Sequence, residues 1–275
     1  MAVGERRRRL RRWSLRRRKR TRAAVMTVVE HLDELRRRLI LSAVAFVLFA
    51  TVAFFFFDEF SDFLLRPLCG LPREQLGPNG CRLVIGHPIE GFTVRLKVSA
   101  MGGLVAASPV WLYHLWAFVV PALTPSEKRY ALPFVTTSVT LFAIGATFAY
   151  LTLQTGLRFL FALGGDNFVP FLRAQEYLDF VGLVLVAFGV TFELPLILFF
   201  LGLAGAVSVD QLRRGRRIAA VSITALAAVV TPSQDPYTML VMAVPLYVLY
   251  EATIALLALV IRRRNRRPAQ PSATR

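Results

Sequence analysis

Apolar positions in this chain do not recur at a helical or strand period. They run together in long blocks, each ended by a cluster of charge. The blocks fall at 39–57, which closes on Phe54, Phe55, Phe56 and Phe57, and then at 98–120, 131–153, 178–204, 218–231 and 238–261. A hydrocarbon core about 30 Å thick needs roughly 20 apolar residues to cross it as helix. Five of the blocks meet that length. The fifth in order, 218–231, holds only 14 residues; at about 1.5 Å per residue it reaches roughly 21 Å, so polar flanks extend it or the bilayer thins beside it. The Thr231–Pro232 bend closes it, and Pro245 and Glu251 interrupt the sixth block. The pattern predicts an all-α integral membrane protein with six crossings.

Composition agrees: 55% of the 275 residues are hydrophobic and 19% charged, with a mean hydropathy of +0.53, more apolar than a soluble domain. The formal charge of +17 is confined to the ends. Residues 1–25 carry a net +11 and 262–275 a net +6, while 26–261 hold 16 basic and 16 acidic residues. This divides the chain into a basic extension, a neutral six-span body and a basic tail. Three readings of 1–25 stand side by side: a nucleic-acid tract, a polybasic segment on anionic lipid, or a stretch that is disordered or precedes a true start at Met26. Apart from 1–25, the side holding both termini carries 15 Lys and Arg against 7 on the other. The positive-inside rule therefore places both termini in the cytoplasm.

The chain has no GxxxxGK[ST] phosphate loop, no HExxH, no CxxC and no GxSxG elbow, and His31, His87 and His114 are dispersed. Nucleotide-driven pumping, enzymatic catalysis, a metal site and a resident cofactor are thus without sequence support. The remaining candidates are acids. An ionised Glu193 inside the fourth block would cost about 2.5–3.5 kcal/mol on insertion scales, so it is expected neutral or paired, facing protein or water. Pro195, two residues on, leaves the Thr191 carbonyl without its helical donor. Glu251 raises the same question in the sixth block. On spacing, Glu34 is an i,i+4 partner of Arg38, and Glu127 closes a capping box with Thr124. Cys69 and Cys81 share the outer loop 58–97, where an oxidising compartment allows either a bridge or two free thiols.

Five stretches together resemble the TatC family of twin-arginine protein translocases: HLDELRRRL (31–39), PIEGFTVRLKVS (88–99), PVWLYHLWAFVVPALTPSEKRY (109–130), FGVTFELP (188–195) and TPSQDPYTM (231–239). The resemblance runs from about 27 to 261. It implies a concave, glove-shaped bundle of six transmembrane helices in the bacterial cell membrane, with short fifth and sixth helices. It also implies binding of the twin-arginine signal peptides of folded precursors, assembly with the single-span partners TatA and TatB, homo-oligomers within the translocase, and transport driven by the proton-motive force, without nucleic acid. By position, Glu34 and Glu127 resemble the acids that receive the paired arginines, where bidentate geometry separates Arg from Lys. Arg36, Leu39 and Phe118 resemble the rest of that recognition surface. Glu193 resembles the intramembrane acid that meets partner helices, and Pro67 and Asp235 resemble functional positions of the outer loops.

A second class remains, a secondary transporter using Glu193 and Glu251 near the midplane, although no internal repeat or pair of matched broken helices accompanies them. A membrane enzyme is a third, lacking any recognisable nucleophile.

Overall fold

The computed structural model describes residues 28–76, 80–119, 131–164, 171–230 and 236–265. The extension 1–25, Glu127, the Thr231–Pro232 bend, Asp235 and the tail beyond Asn265 lie outside the described residues. The described residues are predominantly helical, and their one strand-like feature is a single bridge.

The first block becomes α1, Val28–Phe55; α2, Phe57–Cys69, and the single-turn α3, Arg73–Leu76, follow it. The second block becomes α4, Glu90–Ala106, and α5, Ser108–Val119, bent by 53° at their junction. The third is α6, Ala131–Gly164; the fourth is α7, Ala174–Thr191, continued by α8, Leu194–Leu203. The six-residue α9, Val209–Arg214, leads into the fifth block, α10, Arg216–Val230, and the sixth is α11, Pro236–Asn265. Four segments are long and apolar enough to cross a membrane: His31–Phe55, Leu132–Leu163, Ala174–Leu203 and Pro236–Arg263. The bent α4–α5 pair makes a fifth.

The helices outrun the apolar blocks because a helix continues into polar residues until its backbone finds caps, whereas hydropathy stops at the first charge. The expectation of a short fifth segment matches α10, 15 residues and about 22 Å. The expectation of a short sixth does not hold. α11 has 30 residues, about 45 Å, and passes through Pro245 without ending. Its last turns carry Arg262 and Arg263, so its polar end lengthens it past the apolar run.

Packing follows membrane rules. Leu39, Ile40, Val44, Val47 and Leu48 of α1 are all exposed, a face that water would not tolerate and lipid does. Helix contacts use small residues: a Cβ added at Gly103 of α4 would lie 2.5 Å from the Ala50 backbone of α1, and one at Gly145 of α6 would lie 2.8 Å from the Phe188 carbonyl of α7. Hydroxyls within the spans bond back to their own helix, as Thr51 does to Val47, Thr140 to Thr136 and Thr191 to Ala187, so few polar atoms face hydrocarbon.

The end of the bundle where α1 gives way to α2 is closed by a built cap. Leu64, Leu68, Leu71 and Leu76 bury against Val94 and Val98 of α4, Leu153 and Leu157 of α6, and Tyr177 and Val181 of α7. Cys69 and Cys81 form a disulfide with their Cα atoms 5.0 Å apart. Val84 accepts from Ala174 N–H at 2.9 Å and donates to Leu172 at 3.0 Å, tying this loop to the start of α7. The buried Glu90 carboxylate accepts from Gly86 N–H at 2.6 Å and from Arg173 Nη2 at 3.1 Å. Arg95 donates to the Phe54 carbonyl at 3.1 Å and lies 4.8 Å from the centroid of the Phe54 ring, a cation on the C-terminal dipole of α1.

Candidate functional site

At the other end of α1, helical spacing puts His31, Glu34 and Arg38 on one face, three and four residues apart. That face meets α5. The His31 ring stacks on Phe118 with centroids 4.3 Å apart and planes 14° from parallel. Glu34 and Arg38 are each 21% exposed, and Arg38 turns both Nε, at 3.0 Å, and Nη2 onto the same oxygen, Glu34 Oε1. Glu34 Oε2 is buried and has no hydrogen-bond partner among the described residues; the same is true of His114 Nδ1 on α5. One carboxylate oxygen is therefore closed by a guanidinium and the other is left buried without a donor among the described residues, on the α1 face whose His31 stacks on Phe118.

Arg36 and Leu39 do not join this cluster. At 100° per residue, Arg36 lies about 200° and Leu39 about 140° around α1 from Glu34; both are exposed, Leu39 at 60%. The recognition residues expected on α1 therefore occupy two faces. The fork expected at Glu34 is also half-filled by Arg38, so a bidentate contact with an incoming arginine requires Arg38 to move.

Inside the bundle, Glu193 is 5% exposed and stands in the short break between α7 and α8. Ser138 of α6, fully buried, donates its hydroxyl to Glu193 Oε2 at 2.5 Å, and Oε1 has no hydrogen-bond partner among the described residues. The break is stabilised on both sides: Glu193 N–H bonds the Val190 carbonyl at 3.1 Å, and Thr253 of α11 bonds the Pro195 carbonyl at 3.3 Å. Phe188 and Phe192 belong to one buried apolar cluster, and Trp116, Phe134 and Phe200 to another. Glu193 faces protein, joined to a hydroxyl 55 residues away in the chain. Glu251 differs: it pairs with Arg216, the first residue of α10, at 2.7 Å, and both side chains are partly exposed. The two acids do not form one midplane site.

Pro67 is buried inside α2. Having no N–H, it cannot bond the Phe63 carbonyl four residues back. The Tyr150 hydroxyl donates to that carbonyl at 2.9 Å, its ring stacked on Phe63, and the Tyr177 hydroxyl donates to the neighbouring Leu64 carbonyl at 2.9 Å. These tyrosines, Ser138, and the Glu90–Arg173 pair are structural contributors that sequence reading missed. The sequence marked Pro67 only through the family resemblance, and nothing in it named Tyr150 or Tyr177 as the donors. Among the described residues no cluster of His, Cys, Asp and Glu forms a metal site.

Comparison with known proteins decides what this arrangement belongs to. The family profile described as Sec-independent protein translocase protein (TatC) matches residues 30–245. The chain belongs to the TatC family. It is 44% identical over 248 residues to the Sec-independent protein translocase protein TatC of Frankia casuarinae, covering 88% of this chain and 68% of that one. It is 37% identical to TatC of Aquifex aeolicus, over 87% of this chain and 98% of that one. The crystal structure titled Twin Arginine Translocase Receptor-TatC superposes with a TM-score of 0.71 at 37% identity, over 85% of this chain and all of that one. The TatC fold, its place as a multi-pass membrane protein and its membership of a non-enzymatic protein-translocation machine follow from these matches. They leave the secondary-transporter class without support.

Proposed function

We propose that this chain is the signal-peptide receptor and assembly platform of a twin-arginine translocase in a bacterial cell membrane, with both termini in the cytoplasm. Glu34 and Glu127 receive the paired arginines of the signal peptide, and Phe118, with Arg36 and Leu39 on the far side of α1, completes the recognition surface. The observation that carries this reading is the buried Oε2 of Glu34, without a donor among the described residues, on the α1 face whose His31 stacks on Phe118. A desolvated carboxylate oxygen without a donor is costly to leave unmade, and a guanidinium N–H is the donor best suited to it. Glu127 enters from its motif, PSEKRY.

TatA- and TatB-type single-span proteins are the proposed partners, other copies of this chain and lipid the remaining neighbours, and the proton-motive force the driving energy. Glu193 contributes by holding α6 against the α7–α8 break, which shapes the face that partner helices meet. Pro67 and Asp235 act at the opposite surface, Pro67 through the α2 geometry that Tyr150 and Tyr177 recognise.

The test is site-specific crosslinking of the membrane-inserted protein to a twin-arginine precursor. Glu34→Ala and Glu127→Ala are expected to reduce the adduct while insertion is normal; an undiminished adduct in both variants overturns the assignment. Glu193→Ala is expected to lower co-purification of TatA- and TatB-type partners.

A further inference from the structure

Arg38 holds the oxygen that a signal-peptide arginine would take. It belongs to the same helix as Glu34, one turn away, so the pair re-forms whenever the site empties. It delivers two donors to a single oxygen, Oε1, and leaves Oε2 unmet. Its neighbours Arg36 and Arg37 point to solvent. Both members of the pair keep some solvent contact, and i,i+4 ion pairs of this kind are weak.

We propose that Arg38 is an internal stand-in for the substrate arginine: it occupies Glu34 at rest and is displaced when a signal peptide binds. The inference rests on the reading of Glu34 as a signal-arginine acceptor. Chemically the exchange is one guanidinium for another. The incoming group spans Oε1 and Oε2 in the parallel geometry natural to a carboxylate, so it recovers the bonds Arg38 gives up and satisfies the oxygen Arg38 leaves empty. The functional consequence is a threshold. Competition weakens every arginine ligand by the same factor, so isolated arginines in passing basic segments drop below occupancy. A paired-arginine peptide held at two acids remains bound.

The experiment is equilibrium binding of a fluorescent synthetic peptide, an Arg-Arg pair followed by an apolar stretch, to the purified full-length protein in detergent. Arg38→Ala is expected to tighten binding about two-fold, the affinity equivalent of one i,i+4 helical ion pair. Arg38→Lys, which keeps the charge without the fork, is expected to fall between wild type and Arg38→Ala. Arg37→Ala removes the same charge from the solvent face and is expected to change binding less than Arg38→Ala. Weaker or unchanged binding in Arg38→Ala overturns the stand-in, as does equal tightening in Arg37→Ala, which would reduce the effect to net charge. Glu34→Ala separates the two levels. If it leaves peptide binding unchanged, the reading of Glu34 itself fails. If it abolishes binding while Arg38→Ala is no tighter, only the stand-in fails.

Discussion

The tightest glycine-to-backbone contact between helices among the described residues gives a sharp test of the fold, because a single methyl group measures it. Gly103 of α4 faces Ala50 of α1. An added Cβ would sit 2.5 Å from the Ala50 Cα and N and 2.7 Å from its Cβ. Ordinary carbon contacts begin near 3.5 Å, so Gly103→Ala must push two backbones apart by about 1 Å. Backbone cannot rotate out of the way as a side chain can, and overpacking of this kind costs about 1–3 kcal/mol. Against that, alanine gains up to about 1 kcal/mol over glycine in a helix. The net expectation is a loss of about 1–2 kcal/mol, or roughly 2–8 °C in Tm by the scaling for a protein of this size.

Gly91, in the same helix, is the matched control. A Cβ there meets only Ile85 Cδ1 at 3.7 Å, so Gly91→Ala is expected to be neutral or mildly stabilising. The assay is thermal unfolding of the detergent-purified protein, followed by loss of monodisperse material, with both variants run beside the wild type. Because α1 carries Glu34 and α4 leads directly into the α5 that carries Phe118, Gly103→Ala is also expected to weaken twin-arginine peptide binding, and Gly91→Ala to leave it intact. Equal stability of the two variants would refute the close α1–α4 packing and, with it, the registration of Glu34 against α5.

Two further expectations follow from the cap and the core. The Cys69–Cys81 bridge closes a loop with a sequence separation of 12, worth about 3 kcal/mol by chain entropy; maleimide labelling should require prior reduction, and Cys69→Ser with Cys81→Ser should lower Tm by several degrees. Labelling of both thiols without reductant would contradict the bridge. Ser138→Ala removes the one donor at Glu193 Oε2, and buried hydroxyl bonds of membrane proteins average about 0.6 kcal/mol with a maximum near 1.7. A double-mutant cycle with Glu193→Gln should return a coupling of that order in thermal stability, and strict additivity would dissociate the pair.

How much of this was legible beforehand depended on the range of the interaction involved. The i,i+4 approach of Glu34 to Arg38 could be read from the chain because helix geometry alone brings them together. The failure of Arg36 and Leu39 to join them was equally implicit in a 100° step, yet a motif read as a string conceals which residues share a face. Ser138 was invisible because nothing local marks a serine that will meet a glutamate 55 residues on. Glu251 was misleading in the opposite direction: its depth in an apolar block suggested a second buried acid, but the short α10 begins at its level and presents Arg216 to it. The sixth helix exceeded its expected length for a related reason, since its basic end is as helical as its apolar middle.

By itself the sequence determined that the chain lives in a membrane, how many apolar blocks it has, which side is basic, and which family it resembles. Those properties are additive over residues: transfer free energy and charge sum along the chain regardless of what packs on what. Only the tertiary structure decided that Glu193 is enclosed and tied to Ser138, that Tyr150 and Tyr177 answer the carbonyls around Pro67, and that one oxygen of Glu34 is taken while the other lies buried without a donor among the described residues. Those are pairings across distant segments. They depend on a fit good to a few tenths of an ångström, which small residues such as Gly103 permit and which no sum along the chain contains.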